Sequence, residues 1–361
     1  MRRLPQRGDG RPLRPLTPIF YPRKRVGAPI VDGTPITPIP CVPSLSIHAS
    51  EDYDGNTDTV EGNAVVVDGD YAYVGSWYDR LNVFDISDPA TPTLVGSITG
   101  DSDLDLISTI IKDGDYLYVT AHDADTLVIV DVSTPSSPTK TGVAYDTGSD
   151  ISSPDGVVKV GDWCYVSGFQ VTPVNVSNPA SPSIGTPIAS GTINTCAGLA
   201  QSGDYLYVCL DGATDGIAVV DISTPGSPTH VTTLTDGTNL PSPSSVIVDG
   251  DYLYVSNYDG DIIAVVDIST PSSPSVVTGF ADSQVDGAWG MVKSGDYLYV
   301  AASDARGVAV LDVSDHGSIS VVDFVTDAVD DVLFDAISLA LSGQYLFVGA
   351  YNFVVVDTGC A

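Results

Sequence analysis

One hairpin segment recurs seven times along the chain: GDYAYV (Gly69–Val74), GDYLYV (Gly114–Val119), GDWCYV (Gly161–Val166), GDYLYV (Gly203–Val208), GDYLYV (Gly250–Val255), GDYLYV (Gly295–Val300) and GQYLFV (Gly343–Val348). Successive glycines lie 45, 47, 42, 47, 45 and 48 residues apart. That is the period of a four-stranded propeller blade, and it is too long for a leucine-rich or ankyrin unit. The sequence therefore predicts an all-β fold, a seven-bladed β-propeller with four-stranded antiparallel blades. Propellers host unrelated functions, so the period alone names no activity.

Each copy reads strand by strand. A short apolar run such as Ala64–Val67 leads into an Asp-Gly or Ser-Gly turn, the type I′ signal of a tight hairpin. The second strand alternates aromatic and aliphatic residues, as in Tyr252–Val255, and the third is nearly all aliphatic, as in Ile263–Val266. Strands of that kind are covered on both faces. A loop of the form Asp-Ile-Ser-Thr-Pro-x-Ser-Pro then leads to a fourth strand; its prolines cannot donate to a ladder and belong in the loop or at the outer edge. The last copy stops after Phe353–Asp357, whereas Pro43–Ile47 reads like the segment before an outer strand, Pro92–Gly96. An N-terminal strand that completes the last blade closes the ring and removes an exposed edge.

The segments Leu127–Asp131, Ala218–Ser223 and Ala264–Ser269 are each followed by a Pro-rich loop and then by the next hairpin, Gly-Asp-Trp-Cys-Tyr-Val after the first and Gly-Asp-Tyr-Leu-Tyr-Val after the other two. In this they resemble the LVIVD-repeat family over residues 43–361. The resemblance implies a propeller, often found in surface-exposed or extracellular proteins of prokaryotes, with no established chemistry. Blade three departs from the pattern: Val174-Asn175 replaces the Val-Asp step and Pro173 interrupts the run, which puts its third strand in doubt.

Charge divides the chain in two. Only Glu51 and Glu61 are glutamates among 46 acidic residues, and eight of the 14 basic residues lie near the N-terminus: Arg2, Arg3, Arg7, Arg11, Arg14, Arg23, Lys24 and Arg25. Residues 1–40 carry a net +6 and the remainder −38. A charge of that size destabilises a compact state by self-repulsion unless ions screen it, and molar salt shortens the Debye length to about 3 Å. A hypersaline setting is the expectation. The alternative reads aspartate simply as the turn residue of a loop-rich β protein.

Residues 1–42 form no blade. Ten of the 25 prolines fall between Pro5 and Pro43, and no apolar run there is long enough for a signal peptide or a membrane span. The segment reads as an extended, basic, Pro-rich anchoring arm, with the eight basic residues as its contacts, and residues 43–361 as the propeller. Its arginines suit an acidic protein surface better than nucleic acid, because the acidic propeller behind them opposes approach to phosphates. The arm emerges on the face with the Asp-Gly turns. The opposite face carries the turns between second and third strands and the inter-blade connections. There sit Trp77, Tyr78, His122, Asp123, Asp125, Phe169, Asp211, Asp215, Tyr258, Asp259, Asp261, Arg306, Tyr351 and Asn352.

Cysteine placement is compatible with an oxidising exterior. Counting outward from Ser202-Gly203 puts Cys196 opposite Cys209, a bridging position in a regular hairpin. Cys41 and Cys360 flank the ring closure, where a bridge would replace the missing covalent link. Its loop of about 320 residues corresponds to several kcal/mol in the chain-entropy treatment. The alternative for both pairs is free buried thiols.

The search for chemistry returns little. Four histidines lie far apart without zinc-site spacing. Asp123, Asp125, Asp259 and Asp261 offer oxygen ligands for calcium but lack the spacing of an EF-hand loop, and solvated turn aspartates are the alternative. The repeated Asp85, Asp131, Asp221, Asp267, Asp312 and Asp357 end strands before Ser or Thr loops and read as loop caps. No GxSxG, phosphate loop or Cys/His pair is visible. The expectation is a non-enzymatic structural or interaction protein without a cofactor, and most concretely a virion-surface spike or decoration propeller. In that reading the arm docks on other proteins of one larger assembly, and Trp77, Tyr78, His122, Phe169, Tyr258, Arg306 and Tyr351 meet a host receptor or glycan. A cell-surface adhesion propeller is the alternative. A metal-assisted hydrolase or lyase in the central funnel is a third reading, and it needs carboxylates or histidines where the innermost strands begin; only Asp155 is there.

Overall fold

The computed structural model describes residues 42–51, 62–146, 148, 150–188, 193, 195–326 and 332–360. Seven four-stranded antiparallel sheets make up the described residues, six of them in simple sequence order along the chain. Blade one comprises Gly62–Asp68, Tyr71–Ser76, Arg80–Asp85 and Thr93–Thr99. Blade seven takes three strands from the C-terminus, Ser338–Ser342, Tyr345–Gly349 and Phe353–Asp357, and its outer strand from Ser46–Glu51. Ser46 faces Asp357, and the Ser44 amide donates to the Thr358 carbonyl at 2.9 Å, so the ring closes as the repeat count requires. The chain enters this strand at the end of the blade that carries the Ser342-Gly343 turn. The arm residues Arg2, Arg3, Arg7, Arg11, Arg14, Arg23, Lys24 and Arg25 lie outside the described residues.

All seven turn glycines adopt φ between 56° and 59°, the left-handed conformation that a type I′ turn needs and a Cβ disfavours. The third strands are buried along nearly their whole length. In the second strands the second aromatic of each repeat is buried between neighbouring blades. Tyr165 Oη donates to the Pro225 carbonyl at 3.1 Å, and Tyr254 Oη meets His316 Nδ1 at 2.7 Å. Burial pushes the Tyr73, Tyr118 and Tyr165 hydroxyls up to about 12, so they stay neutral donors.

Blade three is complete, contrary to the expectation from its sequence. Thr172–Asn175 pairs with Trp163–Val166, and a two-residue outer strand, Ser183–Ile184, follows. Pro173 lacks an amide, but its carbonyl accepts from Gly185 at 2.7 Å, which keeps the blade edge attached.

The Cys196–Cys209 bridge is not formed: both are buried free thiols, as is Cys164. A bulge between Cys196 and Leu199 shifts the register, so Cys196 faces Leu210. With a side-chain period of two, that slip sends the thiols into different clusters: Cys196 packs with Tyr165 and Leu206, Cys209 with Leu253 and Val255. The Cys41–Cys360 pairing involves Cys41, which lies outside the described residues.

Candidate functional site

The face opposite the Asp-Gly turns is built from two kinds of segment. Inter-blade connections share a fixed grammar. Leu104, Ile151, Ile193, Leu240, Val285 and Leu333 are buried plugs. Two residues later, Leu106, Ser153, Thr195, Ser242, Gly287 and Asp335 have φ between 47° and 66°. A non-glycine residue in that conformation costs about 1–2 kcal/mol. Its recurrence at six connections marks it as propeller architecture rather than strain stored for one reaction.

The turns between second and third strands lock onto these connections. The His122, Asp211, Tyr258 and Ser303 amides donate to the carbonyls of Leu106, Thr195, Ser242 and Gly287 at 2.8–3.1 Å. Asp125 Oδ1 accepts the Ser153 amide at 2.7 Å, and Asp261 Oδ1 accepts the Gly287 amide at 2.8 Å. Two of the four calcium candidates thus have a structural task, tying one blade to the next. Asp123 bonds to His122 Nδ1 at 2.8 Å, and Asp259 is exposed. Among the described residues no group of three or more His, Cys, Asp or Glu side chains is arranged to hold a metal ion.

Where the innermost strands begin, small polar side chains stitch the ring. Asn63 Nδ2 donates to the Ile107 carbonyl at 2.6 Å, Ser108 Oγ to Pro154 at 2.6 Å and Ser244 Oγ to Ala288 at 3.1 Å. Ser256 Oγ donates to Trp289 at 2.6 Å, and Ser167 Oγ to the Ala197 carbonyl. These hydroxyls are therefore bound across blades. Among the described residues, Asp155 is the one carboxylate at this level. Desolvation pushes its carboxyl up to about 6, and Asp211 adds to the rise. His122 opposes it with Nε2 4.0 Å from Asp155 Oδ1. Burial lifts the Cys164 and Cys196 thiols to about 12, far from nucleophilic range.

Aromatic residues gather on the other side of the face, across blades five, six, seven and one. Tyr258 meets Trp289 edge-on with ring centres 5.1 Å apart. Arg306 lies over the Phe334 ring at 4.9 Å, and Phe334 meets Tyr351 edge-on at 6.4 Å and 75°. Trp77, Phe334, Asp335, Ala350 and Tyr351 line a cavity of about 160 Å³ at the seam between blades seven and one. Of the sequence-predicted contact residues, Trp77, Tyr351 and Arg306 converge here with Tyr258 nearby. His122 lies on the acidic side, and Phe169 stands alone. No motif marks Trp289, at the start of an innermost strand, or Phe334 and Asp335, in the connection before blade seven; for the latter two, a buried plug followed two residues later by a left-handed position is the signal that locates them.

Acidic groups crowd this face. Burial raises the Asp105 carboxyl, with Asp79 and Asp123 adding to the rise, and burial raises Asp286 with Asp261, Asp304 and Asp282 beside it. The Tyr258 hydroxyl is raised by burial and by Asp304, Asp259 and Asp335. Lys140 pairs with Asp101 and Asp103 of the first inter-blade connection at 2.7 Å, and the propeller's three other lysines are spent elsewhere. Lys112, Lys159 and Lys293 pair with Asp68, Asp113 and Asp249, the turn aspartates of the preceding blade, at 2.6–3.0 Å.

The seven four-stranded sheets, with aromatic and acidic groups gathered on one face, define a seven-bladed β-propeller. The LVIVD repeat matches residues 61–100, 109–147, 196–236, 242–282, 287–327 and 335–358, and the chain belongs to that repeat family. The matches pass over the irregular third blade. No curated protein matches the sequence. Among solved structures, a functionally unknown protein from Desulfotomaculum acetoxidans is similar, with 17% identity, 78% of this chain and 89% of that chain covered, and a TM-score of 0.62. Hydrazine synthase of Kuenenia stuttgartiensis shares 14% identity over 85% of this chain and 98% of that chain, with a TM-score of 0.63. A putative 6-phosphogluconolactonase from Bacteroides fragilis shares 13% over 73% and 86%, with a TM-score of 0.57. At these identities the likeness is one of fold.

Proposed function

We propose that the protein is a non-enzymatic recognition propeller, displayed on a virion or cell exterior in high salt, that holds its target on the face opposite the Asp-Gly turns. One observation carries this reading. Among the described residues, every large exposed aromatic, Trp77 at 42%, Tyr78 at 64%, Tyr145 at 53%, Phe169 at 48% and Trp289 at 42%, lies on that face or its rim. The exposed large aliphatics, Val42, Ile47, Leu94, Val231 and Val277, lie on outer strands or at the chain entry. Rigid aromatics concentrated on one side are the composition of a binding surface. The inter-blade bonds of the channel hydroxyls weigh against an enzyme of the central funnel. The display reading draws on the acidic surface and on the entry of the chain at the far end of blade seven. A Cys41–Cys360 closure belongs to the same proposal, since the three other cysteines are free.

Binding of labelled full-length protein to whole cells and isolated envelopes, in molar salt, tests the face. The double variant Tyr78→Ala/Trp289→Ala loses binding while keeping its fold; undiminished binding overturns the reading. Removal of residues 1–40 releases the protein from its assembly and leaves cell binding intact.

A further inference from the structure

We propose that the seam cavity between blades seven and one is a site for an organic ammonium group, held by Trp77, Phe334 and Tyr351 as aromatic walls and by Asp335 as counter-charge. The inference rests on the recognition face argued above and names what that face takes. Phe334 and Tyr351 stand at 75° to each other, so their rings form a corner rather than a stack, and Trp77 adds a third wall. Three aromatic walls around a small space attract a cation through the negative faces of the rings. The cavity, about 160 Å³ and open to solvent on one side, has room for a group roughly the size of benzene. A trimethylammonium head is of that class.

The charge on the page selects a cation over a neutral or anionic ligand. Asp335 belongs to the cavity wall; burial raises its carboxyl, Ser303 Oγ donates to it at 3.5 Å, and of its charged neighbours Asp304 raises it and Arg306 lowers it, so two carboxylates face one guanidinium here. Arg306 already rests on the Phe334 ring at 4.9 Å, so this environment tolerates a cation against an aromatic face. In concentrated sodium the site discriminates by hydration. A sodium ion keeps its water and gains little from aromatic walls, whereas a tetraalkylammonium ion is weakly hydrated and apolar enough to enter.

The same ammonium chemistry occurs in a free small molecule and in a methylated lysine of a macromolecule, and two probes separate these sources. Calorimetric titration of the full chain in molar sodium chloride uses choline, its uncharged isostere 3,3-dimethylbutan-1-ol and a peptide bearing one trimethyllysine. Choline binds at least about tenfold more tightly than the isostere. A peptide that matches choline assigns a free small molecule as the ligand, and one that exceeds it about tenfold assigns a side chain on a partner. Asp335→Asn lowers the preference for charge, leaving the part the aromatic walls supply, and keeps the backbone, because asparagine accepts the left-handed conformation that Asp335 holds at φ 54°. Tyr351→Ala loses choline about tenfold, whereas Tyr351→Phe retains it. Equal binding of choline and isostere, binding indifferent to Asp335→Asn, or no choline binding by a folded protein overturns the proposal. Cell attachment that survives Tyr351→Ala but not Tyr78→Ala/Trp289→Ala refutes the cavity alone and leaves the recognition face standing.

Discussion

Asp155 offers a direct measurement of how the channel treats charge. Its carboxyl is raised from 3.8 to about 6 by desolvation, with His122 lowering it and Asp211 raising it further. A shift of that size amounts to roughly 3 kcal/mol if carried through at about 1.4 kcal/mol per unit. Nearly half of the side chain, 46%, faces channel water, however, and solvent screening reduces the expected effect to about 1 kcal/mol. The folded chain holds a proton that the unfolded chain releases, so stability from this group is full below about pH 4 and declines as pH rises through about 6. Asp155→Asn keeps the neutral form at every pH. The variant therefore matches the parent at about pH 4 and exceeds it by about 1 kcal/mol at about pH 7.5, read from urea unfolding at one fixed salt concentration. His122→Ala removes the opposing imidazole and moves the Asp155 midpoint upward in a carboxyl NMR titration. If the parent and Asp155→Asn differ by the same amount at both pH values, Asp155 titrates as a solvated carboxylate and the account of the channel is wrong.

Phe353 is fully buried and stacks on Phe84 at 4.9 Å and near Phe347 at 6.0 Å, joining blade seven to blade one. Phe353→Ala is expected to lose about 3–5 kcal/mol, measured by denaturant unfolding, because the cavity falls at the ring closure. Asp261→Ala removes the acceptor of the Gly287 amide and is expected to lose about 1–2 kcal/mol, equally with and without added calcium; a calcium-dependent loss would restore the ligand reading. The −38 propeller is expected to melt at a higher temperature in about 3 M than in about 0.1 M sodium chloride, whereas equal melting points would leave its aspartates as turn residues only.

The ring, its blade count and its closure were legible because they rest on period and turn chemistry, which are local. Gly69 and its six counterparts need a left-handed turn, and the sequence says so at each copy. The Cys196–Cys209 bridge failed because the register shifts between Cys196 and Leu199, as it does at the start of the innermost strands of blades one, two, five and six, and counting along a hairpin assumes that no residue is extra. Pro173 misled in the opposite sense. Proline excludes an amide, not a carbonyl, and the bond from Gly185 adds to the pairing of Val174 with Ile184 and Asn175 with Ser183 that holds the short outer strand. Topology alone was enough to put Trp77, Tyr351 and Arg306 at the end of the blades opposite the Asp-Gly turns. Their convergence with Phe334 and Asp335 was not legible, because it depends on the two blades that meet at the seam.

The connections show where a repeat protein of this kind has freedom to acquire a site. In each, the plug and the left-handed residue are fixed by the architecture, and the residue between them is not: it is Asp105, Ser152, Pro241, Asp286 or Phe334 in successive described connections. Where the residue is Asp105 or Asp286, the result is a carboxylate raised by its acidic neighbours. Where it is Phe334, an aromatic ring stands beside Tyr351 and under Arg306, and a cavity forms. Moving the aromatic is therefore the sharpest test of this division of labour. Phe334→Asp is expected to fold, since Asp105 and Asp286 already occupy that position, and to lose the cavity's ammonium binding at least about tenfold. A variant that failed to fold would show that Phe334 belongs to the architecture after all, and that the freedom at this position is narrower than the repeats imply.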